Sequence, residues 1–333
     1  MKINIFKSEI ITSFFVILLV ALISCSSDSS DGDGPIIDGD TPMTDGNGSN
    51  GGGEPNEGPM VETLVSSFNA TDGLSLDSDG NIYASNFANF TGSEVLKINS
   101  STSEVTVAVD GLVAPTGNFV DSDGIIYVVN NIRFVSGNSG PTQADVLKFS
   151  PDGSREVLAT LPGFPAGITL DEFNNAYVSN FSFSGVHKIT PTGEVSVYAE
   201  DNRLFGGVGI DFDDNGNLFV GNFSTGDILK ITENQTIELL TTIPTVVENV
   251  VIGYISYFSD SIYATAAGEH TIYKVSMEGE ATIFAGNGEK ATIDGSLLEA
   301  SFDTPNGITV DPVREKIYVS QGSGAALRVI ELR

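Results

Sequence analysis

The sequence predicts an all-β protein, a six-bladed β-propeller built of four-stranded antiparallel blades. Three observations lead to this prediction. A unit recurs six times after Met60, with the same residue types at fixed places inside it. Each unit contains four short apolar segments separated by turn residues. Equivalent residues of successive units lie 42 to 55 residues apart, a period that is typical of propellers when each unit holds only short strands.

Three recurring positions define the unit. The predicted second strand carries an aromatic residue: Tyr83, Tyr127, Tyr177, Phe219, Tyr263 and Tyr318. A glycine precedes each aromatic by ten or eleven residues: Gly73, Gly117, Gly167, Gly209, Gly253 and Gly307. The third strand carries a basic residue followed by an apolar one: Lys97, Lys148, Lys188, Lys230, Lys274 and Arg328. We expect these basic side chains to pair with acidic residues of the neighbouring blade.

Strand patterns can be assigned along each unit. In the third, alternating apolar residues and turn signals predict strands over 167–170, 176–179, 186–189 and 194–198. The last unit reaches the end of the sequence just after its third strand. Residues 61–65 precede the first unit and have the pattern of a fourth strand. We therefore expect the N-terminal strand to pair into the last blade, which closes the ring and covers an open sheet edge.

These repeats resemble NHL repeats and the related gluconolactonase-like and strictosidine-synthase-like six-bladed propellers. The join between the fifth and sixth units carries the most specific part of the resemblance: Ala285-Gly286-Asn287-Gly288, Asp294-Gly295, Ala300, Phe302 and Pro305-Asn306-Gly307-Ile308. The resemblance covers residues 61–333. It implies the fold more strongly than a function, because one fold serves many functions.

The N-terminal segment is predicted to direct the protein to the cell envelope. Lys2 and Lys7 precede an apolar run of about 14 residues, too short to span a bilayer comfortably and typical of a signal peptide. The run ends in Leu22-Ile23-Ser24-Cys25, which resembles the lipobox of bacterial lipoproteins. This resemblance implies that residues 1–24 are a signal peptide and that Cys25, the only cysteine, carries the lipid. Ser26 at the next position favours the outer membrane under the sorting rule of that family.

Residues 25–60 are predicted to be a lipidated cysteine followed by a disordered tether. From Ser26 to Met60 there are eight acidic residues, nine glycines and no lysine or arginine. Such a composition buries too little apolar surface to offset the entropy of ordering the chain. Its first residues also resemble acidic tags that export some lipoproteins to the cell surface. A periplasmic and a surface-exposed location therefore both remain open.

Charge and composition limit the chemistry. With 15 basic and 44 acidic residues, the net charge of -29 argues against binding nucleic acid. Membrane contact is expected through the lipid anchor alone. One cysteine and two histidines exclude a disulfide framework and leave little for a zinc site. A metal site would have to use oxygen ligands, and calcium is the cofactor to consider.

The residues just before the repeated glycines are the first site candidates. In gluconolactonase-like propellers, a cluster of carboxylates and amides at these positions holds one divalent cation. The equivalent positions here are Asp72, Thr116, Ala166, Val208, Ile252 and Asn306. Asp72 and Asn306, with Asn118 as a third candidate, are the metal ligands that the resemblance implies. Calcium takes six to eight oxygens, so this set is incomplete.

A second set of candidates ends the second strands. Asn86, Asn130, Asn180 and Asn222 occupy equivalent positions in the first four blades. Their amides could bind a ligand at the channel mouth, or each could cap its own loop. Phe87, Phe181 and Phe223 follow three of them, as an apolar rim or as packing between blades. Glu269 and His270 are the candidates for acid–base catalysis, whereas His187 occupies a position that is leucine or tyrosine in the other blades and is expected in the core.

Two functions follow from these residues. The first is a lipid-anchored, monomeric binding or scaffold module of the envelope, whose channel mouth recognises a protein, a peptide or a glycan. The alternative is a calcium-dependent lactonase or related hydrolase that uses Asp72, Asn306 and Asn118.

Overall fold

A computed structural model describes residues 58–134, 141–245, 250–322 and 326–332. The fold is carried by one compact unit, Pro59–Arg333. The predicted signal peptide, Cys25 and nearly all of the predicted tether lie outside the described residues. Across the described ranges, no helix is long and apolar enough to cross a membrane.

The described strands form six antiparallel sheets, which confirms the predicted six-bladed propeller. The first blade comprises β2 (Leu74–Leu76), β3 (Ile82–Asn86), β4 (Glu94–Ile98) and β5 (Val105–Val109). The second comprises β6 (Asn118–Val120), β7 (Ile126–Phe134), β8 (Pro141–Phe149) and β9 (Arg155–Pro162). The third comprises β10 (Pro165–Leu170), β11 (Ala176–Asn180), β12 (Gly185–Ile189) and β13 (Val195–Glu200).

The remaining strands follow the same order. The fourth blade comprises β14 (Gly207–Phe212), β15 (Leu218–Asn222), β16 (Asp227–Ile231) and β17 (Ile237–Thr242). The fifth comprises β18 (Ile255–Tyr257), β19 (Ser261–Ala266), β20 (Thr271–Ser276) and β21 (Ala281–Ala285). The sixth contains β23 (Pro305–Asp311), β24 (Lys316–Gln321), β25 (Ala326–Glu331) and the N-terminal β1 (Met60–Ser66). Two single-turn 3-10 helices, Ala88–Phe90 and Asn202–Leu204, are the only helices in the described ranges.

The ring closes through β1, as the sequence predicts. Val61 lies opposite Ile330 and Thr63 opposite Arg328, so β1 is the outermost full strand of the sixth blade. On its other side, Val61 pairs with Gly295 of the two-residue strand β22 (Gly295–Ser296). The Asp294-Gly295 pair at the join between the fifth and sixth units therefore lies at the seam that closes the ring.

Arg328 stabilises this seam from inside. Its side chain is fully buried and donates to the carbonyl oxygens of Ser301 (2.8 Å) and Ile293 (3.1 Å) and to a carboxylate oxygen of Asp294 (2.8 Å). The guanidinium also lies over the ring of Phe302, which is itself buried. A buried charge is tolerated when its donors are paired, and here they bind the 293–302 segment to β25.

The other repeated basic residues act within their own blades, so the expected pairing with neighbouring blades is wrong for them. Lys97 pairs with Asp77 at 3.0 Å and Lys188 with Asp171 at 3.7 Å, in both cases in the same blade. Four lysines also lie over the repeated aromatic ring of their own blade: Lys97, Lys188, Lys230 and Lys274. The sequence repeats the basic and aromatic positions together because third and second strands are paired neighbours in one sheet.

The repeated glycines lie where the first strands of adjacent blades approach most closely. A Cβ atom added to Gly117 would lie 2.4 Å from the carbonyl oxygen of Ala166 in the next blade, and one on Gly307 would lie 2.1 Å from that of Asp72. No side chain fits at such distances, so glycine is required at these positions for neighbouring inner strands to pack around the axis.

The fifth blade departs from this ring. Tyr254, and not Gly253, takes the glycine position there, because its amide donates to the carbonyl of Asn306 in the next blade as the Gly73 amide donates to Thr116. The Thr265 amide donates to the Tyr254 carbonyl, just as the Val129 amide donates to Gly117. The sequence pattern, which placed Gly253 in this ring, was therefore wrong by one residue in the fifth blade.

Candidate functional site

The central channel has two ends with different chemistry. We call upper the end where first strands begin and second strands finish, and lower the end where the turns between first and second strands lie. The residues predicted from the glycine positions and from the asparagine set all belong to the upper end, except Asn118, which follows Gly117 in its strand.

Tyr254 crosses the channel between the two ends. Its hydroxyl, from the fifth blade, donates to Oδ1 of Asp72 in the first blade at 3.0 Å. These two blades are separated by the sixth, so a contact of this length is possible only close to the axis. Tyr254 itself is 6% exposed. The tyrosine and the carboxyl together form a septum across the channel.

The environment of Asp72 favours its neutral form. Burial raises the pKa of Asp72 to about 7, and the hydrogen bond from Tyr254 opposes that rise. The same burial, together with the nearby Asp72 charge, raises the pKa of Tyr254 well above its usual value, so the phenol stays protonated and donates. Asp72 keeps partial solvent contact. A carboxyl near half-ionisation at neutral pH is a frequent feature of functional sites.

Five phenylalanine rings form an arc at the upper end over the first four blades. Successive ring centroids lie 4.6 to 6.3 Å apart, with both edge-to-face and stacked geometries. The arc comprises Phe90, Phe87, Phe164, Phe181 and Phe223. Phe90, Phe164 and Phe223 remain partly exposed, whereas Phe87 and Phe181 are 9% exposed. The arc therefore combines packing between blades with an apolar surface that faces the mouth.

The loop that carries Phe90 has an unusual backbone. Ala88, Asn89 and Phe90 all have positive φ angles, of 43°, 50° and 71°. Residues other than glycine rarely occupy the left-handed region, and such strain is found most often at functional sites. Asn86, at the start of this loop, donates to Glu94 through Nδ2, while its Oδ1 is buried with no hydrogen-bond partner among the described residues. Of the four predicted asparagines, Asn86 is thus the one whose side-chain oxygen has no hydrogen-bond donor among the described residues.

The other three asparagines hold loop backbone. Asn180 accepts from the Phe164 amide and donates to the Pro162 carbonyl. Asn222 donates to the carbonyls of Arg203 and Phe205, and Asn130 accepts from the Val113 amide at 2.6 Å. All three side chains are buried, at 3% exposure or less. This geometry favours the loop-capping interpretation over direct ligand contact.

Glu269 and His270 lie on the opposite side of the upper end, in the fifth blade. Nδ1 of His270 accepts a hydrogen bond from the Thr304 amide at 3.1 Å, so its remaining proton is on Nε2. Burial lowers the pKa of His270, and the nearby Lys290 lowers it further, against the opposing charges of Asp303 and Glu269. Glu269 accepts from the Thr245 hydroxyl at 3.1 Å. This histidine is therefore a neutral donor at pH 7, held by the loop that precedes β23. His187 is 4% exposed, packs against Phe183 and belongs to the core, as expected.

The three residues implied for calcium do not fit that ion. Asn118 is 3% exposed, donates to the Gly73 carbonyl and to Ser85 Oγ, and accepts from Ser75 Oγ. Asn306 donates to the Thr71 carbonyl at 2.8 Å. Asp72 is thus the one carboxylate of the set, and its raised pKa weakens it as a ligand. In the described ranges, no three Asp, Glu, His or Cys side chains gather closely enough to hold a metal.

The lower end holds a cavity of about 430 Å³, and Tyr254 is one of its lining residues. Five of its lining side chains occupy the same register position of the first strand, opposite the repeated aromatic residue: Ser75, Thr169, Asp211, Ser256 and Thr309. Sequence analysis did not single out this set. Of the other five blades, four carry Ser or Thr at this position and the second carries Phe119, which also lines the cavity. The Asp at this position was the signal available for Asp211, but the nearby Asp213 and Asp214 made it hard to recognise in the sequence.

Comparisons with known proteins show similarity over part of the sequence and across the fold. No family model matches the chain. It is 28% identical over 123 residues to the Arabidopsis thaliana protein STRICTOSIDINE SYNTHASE-LIKE 3, a match that spans 33% of this chain and 30% of the relative. It is 29% identical over 77 residues to the chloroplastic protein SUPPRESSOR OF QUENCHING 1 of Arabidopsis thaliana, spanning 22% of this chain and 7% of the relative. The matches thus cover less than a third of either relative.

Several solved structures share the fold. An auxiliary nutrient binding protein from Bacteroides ovatus superposes with a TM-score of 0.68 at 14% identity, covering 82% of this chain and 76% of that one. A gluconolactonase from Xanthomonas campestris gives 0.60 at 12% identity, covering 82% and 89%. Virginiamycin B lyase from Staphylococcus aureus gives 0.57 at 14% identity, covering 83% and 100%. At these identities the likeness shows the fold alone.

Proposed function

We propose that the protein is a lipid-anchored binding module of the cell envelope, monomeric, with a ligand seated at the upper mouth of the propeller. The observation that carries the proposal is the arc of five phenylalanines at the upper end of the channel, the end to which Asp72 also belongs. Binding sites are mostly apolar and aromatic, with a few polar groups that orient the ligand. The solved relatives include nutrient-binding propellers, which supports a binding role.

The chemistry of the mouth narrows the ligand class. Rings such as Phe164 present flat apolar surface, which suits the apolar face of a sugar ring or an aromatic or aliphatic side chain of a peptide. The Oδ1 of Asn86 is an unused hydrogen-bond acceptor, and Asp72 donates or accepts according to its protonation. With a net charge of -29, the protein repels anionic partners. Neutral or cationic glycans, peptides or protein segments are the partners proposed.

Calorimetric titration of the full chain in detergent micelles tests this function. The probes are a panel of neutral oligosaccharides and a panel of neutral and cationic decapeptides. We expect binding in at least one panel, and a loss of at least tenfold in affinity in Phe164→Ala. Phe173→Ala is the matched control, because Phe173 is 71% exposed in a turn at the lower end. Failure of both panels, or equal affinity in Phe164→Ala, would contradict the proposal.

The anchor is tested separately. In cells fed a radiolabelled or alkyne-tagged fatty acid, the wild-type chain should incorporate label and fractionate with the outer membrane. Cys25→Ser should abolish both, since Cys25 is the only thiol in the chain. Protease treatment of intact cells then distinguishes surface exposure from a periplasmic location. Label retained by Cys25→Ser would refute the lipoprotein assignment.

A calcium-dependent lactonase is the second candidate, and one observation favours it. Asp72 is a carboxyl with a pKa near 7 at the mouth of the channel, which suits a general base. Hydrolysis of small lactones, assayed with calcium and with a chelator, separates the two functions. Turnover that needs calcium and disappears in Asp72→Asn would favour the lactonase. The binding proposal expects no such turnover, because Asp72, Asn306 and Asn118 do not form a calcium site.

A further inference from the structure

We propose that the lower cavity is a second ligand site, separate from the upper mouth, which takes a small amine-bearing polar molecule with its ammonium group on Asp211. This site does not depend on the function proposed for the upper mouth. Its volume of about 430 Å³ lies in the usual range for small-molecule sites.

The polar groups of this cavity converge from five blades. Hydroxyls of Ser75, Thr169, Ser256 and Thr309 belong to the first, third, fifth and sixth blades, and Asp211 belongs to the fourth. Isoleucines of the same strands, among them Ile168 and Ile308, line the cavity between them. A ring of hydroxyls around one carboxylate, on an apolar wall, matches a compact ligand with several hydroxyl groups and one positive charge.

Asp211 carries a charge that no basic side chain in the described ranges pairs with. Its Oδ2 accepts from the Tyr257 amide at 2.8 Å and its Oδ1 from the Phe212 amide at 2.9 Å. The Ser256 hydroxyl is more distant, at 3.4 Å, and the Thr169 hydroxyl also donates to the carboxylate. Both hydroxyls can rotate and accept from a ligand instead, which leaves room for an ammonium donor on Asp211. Burial raises the pKa of Asp211 to about 6, and these donors limit the rise, so the group is mostly ionised at pH 7. An ammonium ion would supply the missing counter-charge.

The surroundings of the cavity also favour a cation. Asp77, Asp121 and Asp311 lie at its lower rim, and Arg314 is the basic residue of the lining. Arg314 is already paired with Asp311 at 2.9 Å and donates to the Asp79 carbonyl. On the other side, the lining includes Tyr254, whose hydroxyl donates to Asp72, and Asp72 itself does not line the cavity. At the rim, Asp77 is already paired with Lys97 at 3.0 Å. Asp121 and Asp211 are thus the lining carboxylates with no basic partner in the described ranges, and they give the cavity a net negative charge.

A matched set of sugars tests this site on the full chain. Glucosamine, glucose and N-acetylglucosamine share one ring but differ in charge at a single position. Titration followed by ligand-observed NMR should show glucosamine bound at least tenfold more tightly than the two neutral sugars. Ethanolamine and its neutral analogue ethylene glycol extend the comparison to a smaller amine. Asp211→Asn should reduce amine binding at least tenfold, while Asp123→Asn, an exposed acid of the lower turns, should leave it unchanged.

A second variant keeps the proposal testable if Asp211→Asn does not fold. Thr309→Phe fills the cavity from the sixth blade and leaves the donors to Asp211 in place, so it should abolish amine binding while the protein remains folded. Equal affinity for neutral and amine probes, absence of binding by both amines, or amine binding unaffected by Thr309→Phe would each overturn the proposal. The two sites are tested independently, because Phe164→Ala removes a side chain at the upper mouth and does not alter the lower cavity.

Discussion

At the scale of single residues, the most informative position is the one where tyrosine replaces a ring glycine. The other five inner strands use glycine because the backbone of the next blade leaves no room for a side chain. Tyr254 instead directs its ring across the axis to Asp72 and divides the channel. One substitution in a sixfold repeat therefore creates two chemically distinct ends.

The Asp72 carboxyl should make stability depend on pH. Its pKa is about 7 in the folded protein and near 3.8 when unfolded, so the folded state binds the proton more tightly between those values. Ionisation therefore removes stability as the pH rises from about 4 to about 7. We expect the difference in melting temperature between Asp72→Asn and the wild type to be more positive at pH 8 than at pH 5.

The control for this experiment is Asp110→Asn, at an exposed position. Its difference in melting temperature from the wild type should be the same at pH 5 and pH 8. If the difference in melting temperature between Asp72→Asn and the wild type is also independent of pH, the pKa of Asp72 is not raised in the folded protein and the prediction is wrong.

The glycine ring leads to a second prediction at this scale. In Gly117→Ala the new methyl group would lie 2.4 Å from the Ala166 carbonyl oxygen, which is backbone and cannot rotate away. We expect a loss of about 1–3 kcal/mol in the free energy of unfolding, as for other overpacked sites. Chemical denaturation measures it. Gly295→Ala is the control, since its Cβ would have ordinary contacts at 3.5 Å or more. Equal stability of the two variants would contradict close packing at the axis.

At the scale of elements, the seam between β1 and β25 depends on one buried guanidinium. Arg328→Ala would leave the carbonyls of Ser301 and Ile293 and the Asp294 carboxylate without their donor. We expect the free energy of unfolding to fall by at least about 2 kcal/mol, because hydrogen bonds to a charged group are lost from a buried site.

Lys316→Ala supplies the comparison for Arg328. The Lys316 and Glu331 side chains are 36% and 46% exposed, and their ion pair joins β24 to the same strand β25. Exposed pairs contribute at most about 1 kcal/mol. Urea denaturation of both variants should therefore separate them clearly, and a loss for Lys316→Ala as large as that for Arg328→Ala would refute the special role of the buried arginine.

At the scale of the whole molecule, the strand order and the closure could be predicted because they follow from periodic residue types. The aromatic, glycine and basic positions repeat for structural reasons, and residues 61–65 complete a pattern that the last unit lacks. The sites could not be predicted as well. Gly253 satisfied the spacing although Tyr254 holds the axial position, because the turn between the first and second strands is one residue shorter in the fifth blade (258–261) than in the first (77–81). Three members of the phenylalanine arc could be predicted, because Phe87, Phe181 and Phe223 each follow a repeated asparagine. Phe90 and Phe164 lie in loops outside that repeat, so no spacing indicates them.

Closure of the ring by β1 leads to a prediction about the whole propeller. A chain that starts at Pro59 keeps every residue of β1, whereas one that starts at Ser67 loses the strand that covers β25. The shorter chain exposes the backbone of β25 and uncovers Arg328, which donates to the Glu62 carbonyl. We expect it to melt at a clearly lower temperature and to associate through the open edge, because an unpaired strand is a template for edge-to-edge pairing. Thermal denaturation of the two chains measures the difference in melting temperature, and light scattering measures their association. Equal melting temperatures and monomeric behaviour of both would mean that the six blades hold together without the N-terminal strand.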